Sequence, residues 1–225
     1  MARGKQAKAE DADVIRQRAL RARVPTTFEQ IVRERLVPPE EGDFWVFGYG
    51  SLIWHPGFPH IEVRPGLLRG YHRRFCIYSH RYRGTPERPG LVLGLDRGGS
   101  CRGLAFRVPA AEGQEVMDYL YEREMITGVY NPRWLKVATR EGPVRAISFV
   151  VDRAHSQYTG CLEPEEVALL IAQGCGDRGT GQEYLRNTVH HLDALDLSCP
   201  RLKRLLRLVE QCCGSQSAPC AASKG

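Results

Sequence analysis

The 225-residue sequence lacks the features of several large classes of protein. No apolar run approaches the ~20 residues that an α-helix needs to cross a bilayer. Residues 1–40 contain no apolar segment typical of a secretory signal peptide, and no internal repeat is present. We therefore expect a cytoplasmic protein that does not associate with a membrane.

Metal-binding patterns are also absent. The chain has eight cysteines, but none of them occurs as a Cys-x-x-Cys pair, and the adjacent Cys212 and Cys213 have no second matching pair. The adjacent His190 and His191 would point about 100° apart on a helix, which is unsuitable for binding one metal on one face. We expect no metal site, and we expect the cysteines to be reduced thiols.

The net charge of +6 could suggest nucleic-acid binding, but its distribution argues against that function. Residues 1–40 carry nine basic and six acidic side chains, and residues 200–225 carry five basic and one acidic. Residues 41–199 therefore hold 18 basic and 19 acidic side chains, for a net charge of −1. The basic excess lies at the two ends, so we expect no nucleic-acid partner. The oligomeric state stays open.

The hydrophobic pattern predicts three regions. Residues 1–43 are an N-terminal extension, partly disordered or with short helices, residues 44–213 form the folded domain, and residues 214–225 are a flexible tail. Strands are expected at 44–49, 61–69, 73–79, 91–96, 102–108, 133–139 and 144–152, and helices at 112–125, 163–175, 181–195 and 199–212. This mixture of short strands, one inserted helix and a helical C-terminal part indicates the α+β class.

One segment stands out as a candidate binding site. Residues 45–54 read Trp-Val-Phe-Gly-Tyr-Gly-Ser-Leu-Ile-Trp, a buried strand that breaks into a glycine turn. Glycine permits close approach of the backbone, and consecutive N–H groups in such a turn can bind a carboxylate or an oxyanion. An ordinary strand that ends at a glycine turn is the alternative. A serine nucleophile is not supported, because Gly-x-Ser-x-Gly is absent.

A second candidate lies in the predicted helix 112–125. With Val116 at 0° and 100° per residue, Leu120 falls at about 40° and Glu124 at about 80°, inside the apolar arc. Glu122 falls at about 240°, on the solvated face. A carboxylate moved toward an apolar interior has a raised pKa and can accept a proton near neutral pH. The alternatives for Glu124 are an ion pair with a core arginine, or escape to water at the helix end.

Three segments in this order resemble one known family. They are Val46-Phe47-Gly48-Tyr49-Gly50-Ser51-Leu52, then Tyr82-Arg83-Gly84-Thr85-Pro86-Glu87-Arg88-Pro89-Gly90, then Tyr119-Leu120-Tyr121-Glu122-Arg123-Glu124. The set, from about Phe44 to Val209, is similar to the ChaC-type γ-glutamylcyclotransferases, which cleave glutathione. The resemblance implies a ChaC-like domain over 44–213, a small mixed β-barrel with flanking α-helices and a helical C-terminal extension.

The resemblance also implies an activity and a site. It implies conversion of glutathione to 5-oxoproline and cysteinylglycine without metal or cofactor, with Glu124 as general base and acid. It implies that the γ-glutamyl group is bound by the turn formed by Val46, Phe47, Gly48, Tyr49, Gly50, Ser51 and Leu52. Two alternatives stay open: a noncatalytic module that binds γ-glutamyl groups or anions, and a cyclotransferase for another γ-glutamyl compound.

Four further residues are candidates for substrate binding. Arg83 could pair with a substrate carboxylate through two hydrogen bonds, or it could only stabilise its loop. Thr85 and Tyr130 are polar candidates of the same kind. Tyr158 resembles a tyrosine that lines the family's pocket, and an ordinary packed aromatic is the alternative.

Overall fold

The structure, a computed structural model, describes residues 36–214, a range with seven β-strands and four α-helices. The strands are β1 (Phe44–Gly48), β2 (Glu62–Ser79), β3 (Gly90–Val108), β4 (Tyr130–Thr139), β5 (Gly142–Val151), β6 (Cys175–Gly176) and β7 (Gly179–Thr180). The helices are α1 (Gly113–Glu124), α2 (Pro164–Gln173), α3 (Gly181–Ala194) and α4 (Pro200–Gly214). Most of the predicted N-terminal extension and nearly all of the predicted tail lie outside the described residues.

Strands β1 to β5 close into a barrel in the order β1-β3-β2-β4-β5. All neighbouring pairs are antiparallel except β1 and β5, which run parallel and close the barrel. Strands β6 and β7 form a separate two-stranded ribbon between α2 and α3. The predicted α+β class and mixed barrel with flanking helices are confirmed.

The predicted division of the long strands was wrong. Residues 61–69 and 73–79 belong to the single strand β2, and residues 91–96 and 102–108 belong to the single strand β3. The glycines at positions 70, 98 and 99 are typical turn residues, which is why turns are predicted there. In the structure, Gly70, Gly98 and Gly99 have positive φ angles of 83°, 98° and 68°. In the structure these glycines form an irregularity at which the register of β2 against β3 shifts. Such a bulge bends two paired strands without ending them.

The two faces of β1 pack in different clusters, since successive strand residues point to opposite sides. Val46 belongs to a large apolar cluster that includes Val116 and Leu120 of α1. Phe47 belongs to a second cluster, which includes Leu95 of β3 and is drawn from the strands. The helices therefore cover one face of the sheet and bring the end of α1 close to the end of β1.

The expectation that all cysteines are reduced was wrong for Cys175, which is disulfide-bonded. Among the cysteines whose side chains the structure describes, the free thiols are Cys76, Cys101, Cys161, Cys199 and Cys212.

Candidate active site

The glycine turn after β1 forms one wall of a pocket. Gly48 lets the turn pack closely, because a β-carbon there would lie 3.1 Å from Leu52 Cβ and 3.2 Å from a ring carbon of Phe106, so that one of these neighbours would have to shift. The turn continues into a short 3₁₀ helix, Ser51–Ile53, in which the Ile53 N–H donates to the Gly50 carbonyl at 2.9 Å. Close packing of the turn on the sheet thus fixes the backbone that faces the pocket.

The pocket joins residues that are far apart in the sequence. Its empty volume, with the open mouth included, is about 330 Å³. The residues that line it come from the turn after β1, from β3, the end of α1, β4, β5 and α3: Tyr49, Gly50, Ser51, Leu52, Leu93, Glu124, Tyr130, Phe149 and Tyr184. Backbone of the turn, one carboxylate and three phenols therefore surround a single small space.

Glu124 is the last residue of α1, and its side chain is 17% exposed. Burial raises the pKa of this carboxyl, while the charge of Arg123 and its hydrogen bond act in the opposite direction. The predicted helix face is confirmed, because Val116 and Leu120 are buried and Glu122 is exposed. Both alternatives considered for Glu124 are partly present, since Arg123 pairs with it and the helix ends there.

Three tyrosines face the same pocket. The Tyr130 hydroxyl donates to the Leu93 carbonyl at 2.8 Å. Burial, with the nearby charge of Glu124, raises the pKa of Tyr49 and Tyr130 well above the ordinary value of 10.0. Burial raises the pKa of Tyr184 to about 12. All three phenols therefore stay protonated at neutral pH and can donate hydrogen bonds.

The sequence did not point to Tyr184, which lies near the start of α3. A capping box begins this helix: the Thr180 hydroxyl accepts from the Glu183 N–H at 3.1 Å, and the Glu183 carboxylate accepts from the Thr180 N–H at 3.0 Å. Thr-x-x-Glu is a readable helix start, but only the packing of α3 against the barrel shows that the residue after Glu183 reaches the pocket.

The other predicted binding residues lie outside this lining. Val46 and Phe47 are fully buried in the core below the turn. An Arg83 nitrogen donates to the Thr180 carbonyl at 3.1 Å, and its guanidinium lies 5.0 Å from the centre of the Tyr184 ring. Arg83 is therefore separated from the pocket by one side chain.

Thr85 and Tyr158 occupy other positions. Thr85 is exposed, and its hydroxyl accepts from the Arg88 N–H at 3.2 Å within its own loop. Tyr158 donates to the buried Asp96 carboxylate at 3.0 Å. The structure thus brings Tyr49, Gly50, Ser51, Leu52, Glu124 and Tyr130 together, but not Arg83, Thr85 or Tyr158.

Arg123 is a second residue that sequence reasoning missed. Its Nε donates to Glu124 Oε1 at 3.1 Å, and one of its terminal nitrogens donates to the Ser51 hydroxyl at 3.0 Å. Side chains one residue apart do not face each other within a helix, so helical periodicity gave no sign of the pair.

Within residues 36–214, no group of three or more His, Cys, Asp or Glu side chains is placed to hold a metal ion. The His191 ring stacks on Trp54, with ring centres 4.9 Å apart and planes 10° from parallel. None of the helices in this range is long and apolar enough to cross a membrane.

Comparison with known proteins supplies the family. The model of the family described as ChaC-like protein matches residues 44–212. The chain belongs to the ChaC-like family. Among curated ChaC-like relatives, the glutathione-specific γ-glutamylcyclotransferase of Escherichia coli is 38% identical over 174 residues, which are 77% of this chain and 75% of that protein. The human glutathione-specific γ-glutamylcyclotransferase 1 is 30% identical over 179 residues, which are 76% of this chain and 81% of that protein.

A solved structure supports the same fold. The γ-glutamyl cyclotransferase specific to glutathione from yeast superposes with a TM-score of 0.70 at 23% identity. The alignment covers 76% of the ChaC-like chain and 97% of the yeast protein. The barrel with its flanking helices is therefore the fold that these two proteins share.

Proposed function

We propose that this protein is a γ-glutamylcyclotransferase that converts glutathione to 5-oxoproline and cysteinylglycine. The relatives named above support the substrate and the reaction. The observation that carries the proposal for this chain is the position of Glu124. A largely buried carboxylate with a raised pKa lines the same small pocket as the glycine turn. The attacking group of the substrate is an ammonium, so the reaction needs a base of raised pKa to remove a proton from it. The reaction also needs a site that binds negative charge, which a glycine turn can supply.

The reaction is an internal transfer in which atoms balance without water. Glu124 removes a proton from the α-ammonium group, and the free amine attacks the γ-carbonyl carbon. A new C–N bond closes the five-membered ring. Protonated Glu124 then gives its proton to the nitrogen of cysteinylglycine as the original C–N bond breaks. The ring nitrogen loses its second proton to solvent, which leaves the neutral lactam of 5-oxoproline, and the released amine of cysteinylglycine takes up one proton to become an ammonium group. One carboxylate performs both transfers and ends in its starting state.

The turn would hold the γ-glutamyl group for this attack. Gly50, Ser51 and Leu52 line the pocket, and their backbone N–H groups would bind the α-carboxylate or stabilise the developing oxyanion. Tyr49, Tyr130 and Tyr184 place phenol groups around the same space, and the Tyr130 hydroxyl, which donates to the Leu93 carbonyl, offers the substrate an acceptor. Binding both ends of a short γ-glutamyl group brings its amine toward its own carbonyl, which lowers the entropic part of the barrier. Arg83, Thr85 and Tyr158 stay predicted binding residues, Arg83 through its contact with Tyr184.

The test is incubation of the purified protein with reduced glutathione. We expect 5-oxoproline and cysteinylglycine in equal amounts, with γ-glutamyl-alanine and γ-glutamyl-lysine as parallel substrates. Faster turnover of either analogue would reassign the substrate.

Binding of glutathione without product would instead support a noncatalytic module. The Glu124→Gln variant serves as the inactive control. Loss of activity with EDTA and recovery with zinc would overturn the proposed cofactor-free mechanism. The cytoplasmic location and the 44–213 boundaries stay predictions.

A further inference from the structure

Arg123 joins the two functional halves of the pocket. Its Nε is 3.1 Å from Glu124 Oε1, at the carboxylate end, and its Nη2 is 3.0 Å from the Ser51 hydroxyl, on the glycine turn. Arg123 does not itself line the pocket. One guanidinium therefore spans from the candidate base to the candidate substrate-binding turn, behind the surface that a substrate would touch.

The position of this guanidinium is fixed by the segment that follows the 3₁₀ helix and by Tyr119, one turn earlier in α1. Nη1 donates to the carbonyls of His55 at 2.7 Å and Pro56 at 3.3 Å, and to the Tyr119 hydroxyl at 2.7 Å. The Arg123 side chain is only 18% exposed. Adjacent helical residues point about 100° apart, so the contact with Glu124 depends on these anchors.

We propose that Arg123 is a positioning residue that holds the Glu124 carboxylate in register with the Ser51 turn. The inference rests on the proposed role of Glu124 as the base. A carboxylate at a helix end has rotational freedom that would separate it from the substrate amine. With Arg123 in place, the base and the turn move as one unit, which keeps the reacting groups at the correct distance.

The charges around Glu124 make this role measurable. Tyr49, Tyr130 and Tyr184 lie around it, in the turn after β1, in β4 and in α3, and all three are neutral at physiological pH because burial raises their pKa values above the ordinary 10.0. Arg123 is the cation in contact with it within the described part of the chain. Burial raises the pKa of Glu124 and Arg123 lowers it, so removal of the guanidinium should raise that pKa further.

The experiment compares Arg123→Gln and Arg123→Lys with the wild type by pH profiles of kcat, with thermal melts as a folding check. Arg123→Gln should reduce kcat by roughly 10- to 100-fold, since a small misplacement of a reacting group has effects of that size. Its acidic limb should move to higher pH. Arg123→Lys keeps the charge but not the planar fork of donors, so its limb should stay nearer to the wild type while kcat still falls.

Arg107→Gln is the matched control. Arg107 also makes two carboxylate contacts, to Asp43 at 2.9 Å and Glu62 at 3.3 Å, and none of these three residues lines the pocket. We expect its acidic limb to coincide with that of the wild type. An unchanged kcat and an unchanged limb in Arg123→Gln would overturn the proposal.

Two further outcomes remain decisive. If Arg123→Gln does not fold, Arg123→Lys decides, and a wild-type kcat in that variant overturns the proposal. If the wild type does not act on glutathione, the proposed function fails separately from this inference. NMR titration of the Glu124 carboxyl, assigned by its loss in Glu124→Gln, then decides. A higher pKa in the folded arginine variant supports the contact, and an equal pKa overturns it.

Discussion

Glu122 and Glu124 lie two residues apart in α1, but Glu122 is exposed whereas the Glu124 side chain is only 17% exposed and lines the pocket. The difference follows from the 100° rotation per residue, which places the two carboxylates on different faces of one helix. The two positions can therefore be compared directly, because both are glutamates of the same helix and they differ in burial.

We expect Glu124→Gln to reduce turnover by ~10²–10⁴-fold, because an amide of the same shape cannot accept a proton at neutral pH. Glu122→Gln should change the rate less than about twofold, as surface substitutions usually do. Steady-state kinetics on both variants, with thermal melts and binding of a γ-glutamyl ligand, provide the measurement. An inactive Glu122→Gln beside an active Glu124→Gln would show that the assignment is wrong.

The pH dependence of the reaction should reflect the raised pKa of Glu124. The base acts only when ionised, so the rate falls as pH drops through its pKa. Burial raises that pKa above the ordinary value of 4.5, with Arg123 as a partial counterweight. The acidic limb of kcat/KM, which reports the free enzyme, should therefore have an apparent pKa above 4.5. A limb at or below 4.5, in protein that circular dichroism shows to be folded, would contradict the assignment.

The same shift has a consequence for stability. A folded-state pKa above the unfolded value means that protonated Glu124 stabilises the fold at low pH, and this contribution is lost as pH rises through the folded pKa. Glu124→Gln stays neutral throughout. We expect its Tm at neutral pH to equal or exceed that of the wild type, so lost activity would not reflect unfolding.

Gly57 tests the support beneath Arg123. It has a φ of +74°, and a β-carbon there would lie 2.1 Å from the Tyr119 hydroxyl oxygen, which accepts a hydrogen bond from Arg123. Gly70 has a similar φ of +83° with nothing within 4 Å. Gly57→Ala and Gly70→Ala should each lose about 1–2 kcal/mol of unfolding free energy for the left-handed backbone.

Activity separates these two glycine variants. The Tyr119 ring can move away from a new methyl group, but that movement removes one anchor of Arg123. We therefore expect Gly57→Ala to lower kcat several-fold at a stability close to that of Gly70→Ala, which should keep its rate. Urea denaturation and kinetics are the measurements, and equal rates in the two variants would contradict the coupling.

Asp96 should be a main contributor to stability. Its side chain is 1% exposed and accepts from Arg153 at 2.7 Å and from Tyr158 at 3.0 Å, with Arg74 at 3.4 Å. Burial alone would raise the pKa of Asp96, but these partners outweigh it and the net pKa is lowered. Its contribution is therefore present above the unfolded value of about 3.8 and is lost as pH falls through the folded pKa.

We expect Asp96→Ala to lose about 1–3 kcal/mol in urea denaturation at pH 7, because it removes the buried acceptor of Tyr158 and of the partly buried Arg74. Asp177→Ala is the control. Asp177 pairs with Arg81 at 2.9 Å, but both side chains are 61% exposed, so its loss should be about 0–1 kcal/mol. Equal losses in the two variants would mean that burial of Asp96 does not matter.

The sequence supported local features for which a short-range physical rule exists. The 3.6-residue period placed Glu124 on the buried face of α1, and the apolar run before Gly48 identified β1. The same kind of rule failed at Gly70, Gly98 and Gly99, because positive φ angles occur both in turns and in bulges. Whether a strand ends there depends on its partner strand, which local sequence does not contain.

The residues around Glu124 show more clearly which features local sequence does not determine. The order of motifs, the α+β class and the candidate base were readable from the chain itself, because helical and strand periods operate over a few residues. Arg123 and Ser51, which are in contact, lie 72 residues apart along the chain. Tyr184 and Ser51, which line the same pocket, lie more than 130 residues apart. Only the packing of α1 and α3 against the barrel brings these groups together. Contacts of this kind depend on distances in the folded protein, and the helical and strand periods of the sequence do not contain those distances.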